Sequence, residues 1–293
     1  MITQEQLKQS SELIKKTRPA YQPILDFYSR VFLAQEQNRQ DIFLPPVVID
    51  PDLLKIKQKN EMPLIDQSEF LFDIKASKQL FDTICGLAQD FAPGLSHNAQ
   101  SLKNACKTQS FRLETLFSAI LGNQGSTLHD LGKLLNVPER ELTFFGYASI
   151  APSIRTCSEQ LENYLAGKPG LKKGYCPICG NLPDMAFLDK DGKRHLKCCF
   201  CGHEWLVNRM GCVFCENNDK DYQHYFFNDE EKEYRVNLCD NCHNYIKLVD
   251  LRKIDRAFYP KLEQVTTLHL DMQAKEQGYT NSGSSANDMS LQA

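Results

Sequence analysis

The sequence predicts an α+β protein: an N-terminal α-helical domain, a tandem four-cysteine metal module built on two β-hairpins, and a C-terminal helix. Three observations lead to this fold class. Apolar residues recur at helical spacing through about the first 170 residues. Nine of the 12 cysteines lie between Cys176 and Cys242, and two hairpin patterns fill the intervals between them.

The N-terminal half carries apolar stripes with the three- and four-residue spacing of amphipathic helices. One helix is expected to begin near Pro19, which suits a first helical turn, and a long one to run from Pro138 towards Gly167. Pro45, Pro46 and Pro51 predict a loop. The stripes are Tyr21, Ile24, Leu25, Tyr28, Val31 and Phe32; Leu113, Leu116, Phe117, Ile120 and Leu121; and Leu128, Leu131, Leu134 and Leu135. We interpret them as a helical core, while a docking groove on one face stays an alternative.

Changes in composition divide the chain into four parts. The α-helical domain is expected over residues 1–170 and ends in the linker Gly167-Lys168-Pro169-Gly170. The metal module follows over residues 171–253. Helical periodicity returns over residues 254–280, where we expect a helix that packs back. The tail, residues 281–293, is rich in Ser, Asn and Gly and is expected to be disordered.

Composition and charge narrow the class of protein. The chain is 42% hydrophobic and 24% charged, as is typical of globular proteins. Its net charge of -3 lacks the basic field of a general nucleic-acid binder. We see no apolar run long enough for a membrane span and no secretory signal. The expected location is therefore the cytoplasm, where cysteines stay reduced and a cluster of them indicates metal binding rather than disulfides.

Four Cys-x-x-Cys pairs predict two tetrahedral metal sites. Two residues between the cysteines allow a tight turn to direct both sulfurs at one ion, and two such pairs complete a site. Each hairpin, with turns at residues 189–192 and 228–231, brings its flanking pairs together at small loop-closure cost. Site 1 is therefore predicted at Cys176, Cys179, Cys198 and Cys201, and site 2 at Cys212, Cys215, Cys239 and Cys242. A cross-braced pairing is the alternative.

The four-cysteine ligand set does not identify the metal, but it favours some functions over others. Four thiolates suit iron, as in a rubredoxin-like site, or zinc, as in a zinc ribbon. Sites closed by four cysteines leave no position for metal-bound water, so hydrolysis is not expected. Between Lys172 and Lys253 there are 13 Lys+Arg and 13 Asp+Glu, so with eight added thiolates the module is not basic and a nucleic-acid interface is not expected. No catalytic or cofactor-binding residues are assigned, and metal that only organises the module is the plainer interpretation.

The residues around the four pairs resemble the formate dehydrogenase accessory protein family, FdhE. The resemblance covers about residues 175–279 and rests on the order of the pairs and three further motifs. These are Glu204-Trp205 after the second pair, Tyr245-Ile246-Lys247 after the fourth pair, and the late Leu270-Asp271. It implies a cytoplasmic, chaperone-like maturation factor, not an enzyme, that binds the molybdenum- or tungsten-dependent catalytic subunit of formate dehydrogenase. It also favours iron as the metal.

Four residues are candidate contacts for that client: Trp205, Tyr245, Lys247 and Glu263. We expect an exposed aromatic anchor beside a tethered charge, although Trp205 packed over a metal site is the plainer alternative. The sequence departs from the family at Glu263-Gln264, where the family often has two acids. The alternative functions are a rubredoxin-like electron carrier or redox protein and a zinc-ribbon regulator, and a homo-oligomer is left open.

The remaining cysteines are given no ligand role. Cys199 lies inside the second pair, where it is either a spare ligand or an inert thiol. Cys85, Cys106 and Cys157 are expected to be small buried hydrophobic residues. His195, His203 and His243 lie close to the cysteine pairs in sequence but are not needed as ligands, because eight cysteines already complete two sites.

Overall fold

A computed structural model describes residues 3–165 and 173–283, and the chain divides into two compact units. Among the described residues, the first unit contains those up to Val47 and Asp66–Gln160, and the second contains Val48–Ile65 and those from Leu161 to residue 283. The predicted linker and most of the predicted tail lie outside the described residues. No described helix is both long enough and apolar enough to cross a membrane.

Ten α-helices and six β-strands lie in the described part of the chain. The helices are α1 Gln4–Thr17, α2 Gln22–Asn38, α3 Pro51–Lys59, α4 Ile74–Phe91, α5 Pro93–Lys107, α6 Leu113–Leu121, α7 Gly125–Leu135, α8 Glu139–Glu162, α9 Pro260–Val265 and α10 Leu268–Glu276. The strands are β1 Pro183–Leu188, β2 Arg194–Cys198, β3 Glu204–Val207, β4 Gln223–Phe226, β5 Tyr234–Cys239 and β6 Asn244–Asp250.

The predicted apolar stripes form much of the core of the first unit. Leu25, Val31, Phe32, Leu116 and Phe117 are fully buried. The stripe of α7 differs, because Leu128 is buried whereas Leu134 is 68% exposed. The N-terminal half is therefore helical as predicted, with one stripe that only partly faces the core.

The helix starts follow local capping chemistry. Thr3 and Gln6 form a reciprocal capping box at the start of α1. Pro51 was predicted to lie in a loop, but it occupies the first turn of α3, where its missing N–H costs nothing. The Asp50 carboxylate accepts hydrogen bonds from the Asp52 and Leu53 N–H groups at 3.0 Å, so a capped helix replaces the expected loop.

A six-stranded sheet in the order β3-β2-β1-β6-β5-β4 organises the second unit. The two predicted hairpins are β1–β2 and β4–β5, both antiparallel. The structure adds β3 beside β2 and β6 beside β5, and parallel pairing of β1 with β6 joins the two halves. Both halves thus repeat one order: a cysteine pair, two strands, a second cysteine pair and a third strand.

The segment after the sheet forms two short helices where one helix was expected. Buried Thr266 and Thr267 separate α9 from α10, and their hydroxyls donate to the carbonyls of Leu262 and Glu263. Helix α10 packs Leu270 and Ala274 into an apolar cluster with Met185, Val236 and Tyr245 of the sheet. Helix α10 therefore covers part of one face of the sheet.

A buried ion pair attaches α10 to β6. Tyr245 and Lys247 are two residues apart, so their side chains project from the same face of the strand. Both reach one carboxylate: Lys247 Nζ lies 2.6 Å from Asp271 Oδ2, and the Tyr245 hydroxyl lies 3.0 Å from Asp271 Oδ1. The Tyr-x-Lys and Leu-Asp motifs of the sequence are therefore two sides of one contact.

Glu263 belongs to a second buried network. It is fully buried, and Arg256 Nη2 lies 2.8 Å from its Oε2 atom. The Tyr234 hydroxyl also donates to this carboxylate. Gln264 has a different role, because its Nε2 donates to the Asp184 carbonyl at 2.9 Å. One acid at this position thus balances one arginine.

Removal of the Asp271 carboxylate should destabilise the second unit. Asp271→Ala leaves Lys247 buried and unpaired, and we expect a loss of about 3–5 kcal/mol in the free energy of unfolding. Urea unfolding followed by the fluorescence of the single tryptophan, Trp205, reports on this unit. Asp52→Ala removes an exposed carboxylate from the same unit and should change the free energy by less than about 1 kcal/mol. Equal losses in the two variants would contradict the assignment.

Candidate metal centres

The first cysteine cluster lies at the end of the first hairpin. The sulfurs of Cys176, Cys179, Cys198 and Cys201 all lie within 4.8 Å of one another, and all four residues are buried. Three of the sulfur–sulfur distances are 3.5–3.6 Å. The Phe200 and Cys201 N–H groups donate to Cys198 Sγ at 3.4 Å, as expected where a tight turn holds a thiolate.

The second cluster repeats the arrangement at the end of the second hairpin. The sulfurs of Cys212, Cys215, Cys239 and Cys242 also lie within 4.8 Å of one another. Cys212 and Cys242 are 3.6 Å apart, and Cys215 and Cys239 are 3.7 Å apart. The structure thus groups the cysteines hairpin by hairpin, and not in the cross-braced alternative.

Both clusters fit a tetrahedral ion. A metal–sulfur bond of about 2.3 Å places the sulfurs of a regular tetrahedron about 3.8 Å apart. The observed separations of 3.5–3.7 Å are close to this value without any S–S bond, and all 12 cysteines are free. The donor set would hold one iron or zinc ion per cluster, and the geometry does not select between them.

A left-handed residue closes each of the four cysteine turns. Gly180 and Gly202 follow the first and second pairs with φ of +75° and +71°. Glu216 and His243 occupy the equivalent positions after the third and fourth pairs, with φ of +58° and +51°. A residue with a side chain pays a steric penalty there, so the second cluster forms at a backbone cost that the first avoids.

Backbone hydrogen bonds from residues 64–65, far away in sequence, stabilise the first cysteine turn. The Leu64 N–H donates to the Pro177 carbonyl at 3.0 Å, and the Ile65 N–H donates to the Ile178 carbonyl at 2.9 Å. Pro177 and Ile178 are the two residues between Cys176 and Cys179. Residues 48–65 therefore support the first cluster directly, which no sequence motif had indicated.

The two clusters differ in their exposure to solvent. The cysteines of the first are buried, whereas Cys215 and Cys242 of the second are only partly buried. Burial raises the pKa of the Cys176 thiol. Burial also opposes ionisation of Cys215, but hydrogen bonds from the Asn241 side chain and the Asn217 backbone lower its pKa to about 7. The second cluster is therefore the more accessible of the two.

The cysteines outside the clusters have ordinary packing roles. Cys85 and Cys157 are fully buried, as expected, whereas Cys106 is only partly buried. Cys199 lies outside the group of four sulfurs, and its neighbour Cys198 and then burial raise its thiol pKa. Among the described residues, no histidine belongs to either group of sulfurs.

The four candidate client contacts are buried, so they do not form the expected exposed aromatic anchor and tethered charge. Trp205, Tyr245, Lys247 and Glu263 are 6%, 1%, 2% and 0% exposed. Trp205 Nε1 donates to the Lys173 carbonyl at 2.9 Å, and its ring lies parallel to that of His203. The other three side chains take part in the buried networks of α9 and α10. Their polar atoms face internal partners, so the expectation of exposure was wrong.

The fold and its site define a class of protein in which a helical unit is joined to a sheet that carries two four-cysteine clusters. Residues 175–209 match the family model "FdhE, central domain", and residues 210–288 match "FdhE, C-terminal domain". The two matches together support similarity to the FdhE family over residues 175–288. Site 1 lies entirely within the central-domain match, and site 2 lies entirely within the C-terminal-domain match.

Individual relatives agree with this assignment. The Protein FdhE homolog of Aquifex aeolicus is 26% identical over 275 residues, 91% of this chain and 89% of the relative. Protein FdhE of Escherichia coli K12 is 33% identical over 131 residues, 42% of this chain and 41% of the relative. The crystal structure of the FdhE protein from Pseudomonas aeruginosa aligns with a TM-score of 0.63 at 20% identity, covering 97% of this chain and 95% of that chain. This structural likeness shows a shared fold.

Anaerobically purified protein should contain two metal ions per chain. Cys198→Ser and Cys239→Ser should each lower the metal content by one ion and destabilise the second unit, because metal binding contributes about 10–16 kcal/mol to the folding of such sites. Cys157→Ala, which removes a buried thiol outside both clusters, should keep both ions. Elemental analysis of the three variants checks this, and a wild-type content of one ion or none in folded protein would contradict it.

The two ions should leave at different rates. We expect a chelator to remove the ion of the second cluster first, because Cys215 and Cys242 are partly exposed while the first cluster is buried. Cys198→Ser retains only the second site and should release its ion quickly. Cys215→Ser retains only the first and should release its ion slowly. Stopped-flow detection of the released metal gives both rates, and equal rates would contradict the burial argument.

Proposed function

We propose that this chain is a non-enzymatic accessory protein in the maturation of formate dehydrogenase, and that it acts in the cytoplasm by binding the catalytic subunit. The observation that carries the proposal is the match of residues 175–288 to the two FdhE domains, because both cysteine clusters lie inside it. The name of that family supplies the link to formate dehydrogenase.

The geometry of the clusters supports a binding role. Four cysteine sulfurs converge on each centre, so an ion held there would have its tetrahedral positions filled by protein. Such an ion organises the surrounding turns and leaves no coordination position for a substrate. We propose iron as the metal on the family resemblance, with zinc as the alternative.

We propose that the four buried candidate residues position the binding surface and do not touch the client. Trp205 lies on β3 at one edge of the sheet, and the exposed apolar residues Leu206 and Met210 follow it. These two side chains are 41% and 68% exposed, and apolar anchors of this kind often carry much of an interface energy. The accessible contact area is therefore proposed at Leu206 and Met210.

A redox role is the second candidate. The partial exposure of Cys215 and Cys242 is the feature that favours it, because electron transfer requires access to the metal. The discriminating measurement is reversible one-electron reduction of bound iron together with turnover by a reductase. An accessory protein that only binds its client needs neither.

Deletion of the gene should abolish formate dehydrogenase activity in the host, and the wild-type chain should restore it. The double change Leu206→Ser and Met210→Ser should weaken co-purification of the catalytic subunit by about tenfold or more, at unchanged metal content. Leu134→Ser alters an equally exposed leucine in the helical unit and should have no effect. Full activity in the deletion strain would refute the maturation role, whereas full function of the double variant would refute only this contact area.

A further inference from the structure

Four arginines gather at the end of the sheet opposite the cysteines. The register places Arg194 opposite Val207 and opposite Leu188, and Leu188 opposite Asp250. Arg209 lies two residues after the end of β3, and Arg252 lies two residues after the end of β6. Arg235 is the second residue of β5. The cysteine pairs flank the other ends of these strands, so the sheet separates the two groups.

The guanidinium groups lie close to one another. A Cβ atom built on Gly192, in the turn between β1 and β2, would lie 3.1 Å from Arg252 Nη1 and 3.4 Å from Arg209 Nη1. Arg194 and Arg235 are near enough to influence each other electrostatically, and Arg209 and Arg252 both act on Arg235. Gly192 adopts a φ of +78°, so it suits the turn and leaves room for both groups.

Carboxylates do not balance this cluster. Asp250 is the carboxylate that acts on Arg235, and Arg252 already binds it through two hydrogen bonds of 2.7 and 2.8 Å, which still leaves Arg252 Nη1 available. Asp191, beside Gly192, is paired with Lys193 at 3.4 Å. In the described chain Arg209 has no ion pair, and the buried Nε atoms of Arg194 and Arg235 have no hydrogen-bond partner.

Unpaired buried guanidinium groups are costly, because each loses its hydration without gaining a partner. Arg194 is 3% exposed, and its Nη1 donates only to the Gly211 carbonyl at 2.9 Å. Burial and the neighbouring Arg235 lower the pKa of Arg194 to about 10, while Cys212 acts in the opposite direction. Exposure then increases through half-buried Arg235 to exposed Arg252 and Arg209. The charge therefore extends from the interior to an accessible surface.

Two exposed aromatic rings border the cluster. Tyr225 and Phe227 are 61% and 47% exposed, and their rings stack with centroids 6.2 Å apart. The Arg235 guanidinium carbon lies 5.8 Å from the Tyr225 ring centroid. Planar rings beside arginines are suited to a ligand that combines an aromatic ring with an anionic group.

We propose that Arg209, Arg235 and Arg252, backed by Arg194, form a binding site for a phosphate-bearing small molecule. Phosphate oxygens match the forked donors of arginine and would give the cluster its missing counter-charge. The ring of a nucleotide would stack on Tyr225 and Phe227, whereas free phosphate would use the arginines alone. The exposed members Arg209 and Arg252 lie at the strand ends opposite the cysteine clusters, whereas buried Arg194 reaches the Gly211 carbonyl next to Cys212. The proposed site does not depend on the maturation role.

Calorimetric titration of the metal-loaded chain with pyrophosphate and with ADP, in phosphate-free buffer of low ionic strength, tests the proposal. We expect both probes to bind at one site, and Arg209→Ala and Arg252→Ala each to weaken both affinities by about tenfold or more. Arg209 is the cleaner position, since its removal breaks no ion pair in the described chain. Arg140→Ala removes an exposed arginine from α8 and should leave both affinities unchanged.

The two probes distinguish the source of the phosphate. If the natural ligand is a nucleotide, Tyr225→Ala should weaken the affinity for ADP about fivefold or more and leave the affinity for pyrophosphate unchanged. Equal binding of the two probes, unaffected by Tyr225→Ala, would assign the site to phosphate without a ring. The proposal is overturned if neither probe binds or if Arg209→Ala binds both probes like the wild-type chain. Unchanged melting temperature and metal content in each variant show that the fold is intact.

Discussion

The second unit depends on bringing four cysteine sulfurs to one point, twice. Each thiolate must lie about 3.8 Å from the other three, and a chain without further support has no reason to hold that spacing. Here a hairpin provides it: one cysteine pair precedes the first strand and the other follows the second, so antiparallel pairing brings them together. Pairing of Pro183 with Cys198 and of Gln223 with Cys239 sets the register next to each cluster.

The two hairpins become one sheet through a contact that is not local. Strand β1 pairs in parallel with β6, so the start of the first half lies beside the end of the second. Parallel pairing requires the chain to return over a long distance, and here the return includes β2, β3 and the second hairpin. Because β1 and β6 run in the same direction, both clusters lie at the same end of the sheet. Lys247 of β6 lies opposite Met185 of β1, and its side chain forms an ion pair with Asp271 of α10. This contact connects α10 to the place where the two halves of the sheet meet.

Local features of this fold could be predicted from the sequence, and distant ones could not. The Asp191-Gly192 turn and the Cys-x-x-Cys spacing are local signals. The structure accordingly groups Cys176 with Cys201, 25 residues apart, and Cys212 with Cys242, 30 residues apart. The support of Pro177 and Ile178 by residues 64–65 depends on contacts across more than 100 positions, and no periodic pattern marks it. The sequence also led to a wrong prediction that the candidate client contacts are exposed. The spacing of residues in the sequence does not reveal the buried partners of Trp205, Tyr245, Lys247 and Glu263. The structure pairs Trp205 with the Lys173 carbonyl, Tyr245 and Lys247 with Asp271, and Glu263 with Arg256.

The sheet also separates charge along its strands. Eight cysteines lie at one end, and thiolates holding two divalent or trivalent ions leave that end negative. Four arginines lie at the other end with the paired carboxylates of Asp191 and Asp250, so arginines outnumber these acids and that end is positive. Arg194 connects the two, since it starts on β2 at the arginine end and donates to the Gly211 carbonyl directly before Cys212. A buried cation that bonds the backbone next to a ligand can favour the thiolate form of the second cluster, where Glu216 and His243 already adopt strained backbone conformations. The more exposed cluster thus gains support from the sheet that the buried cluster, with glycines in its turns, does not require.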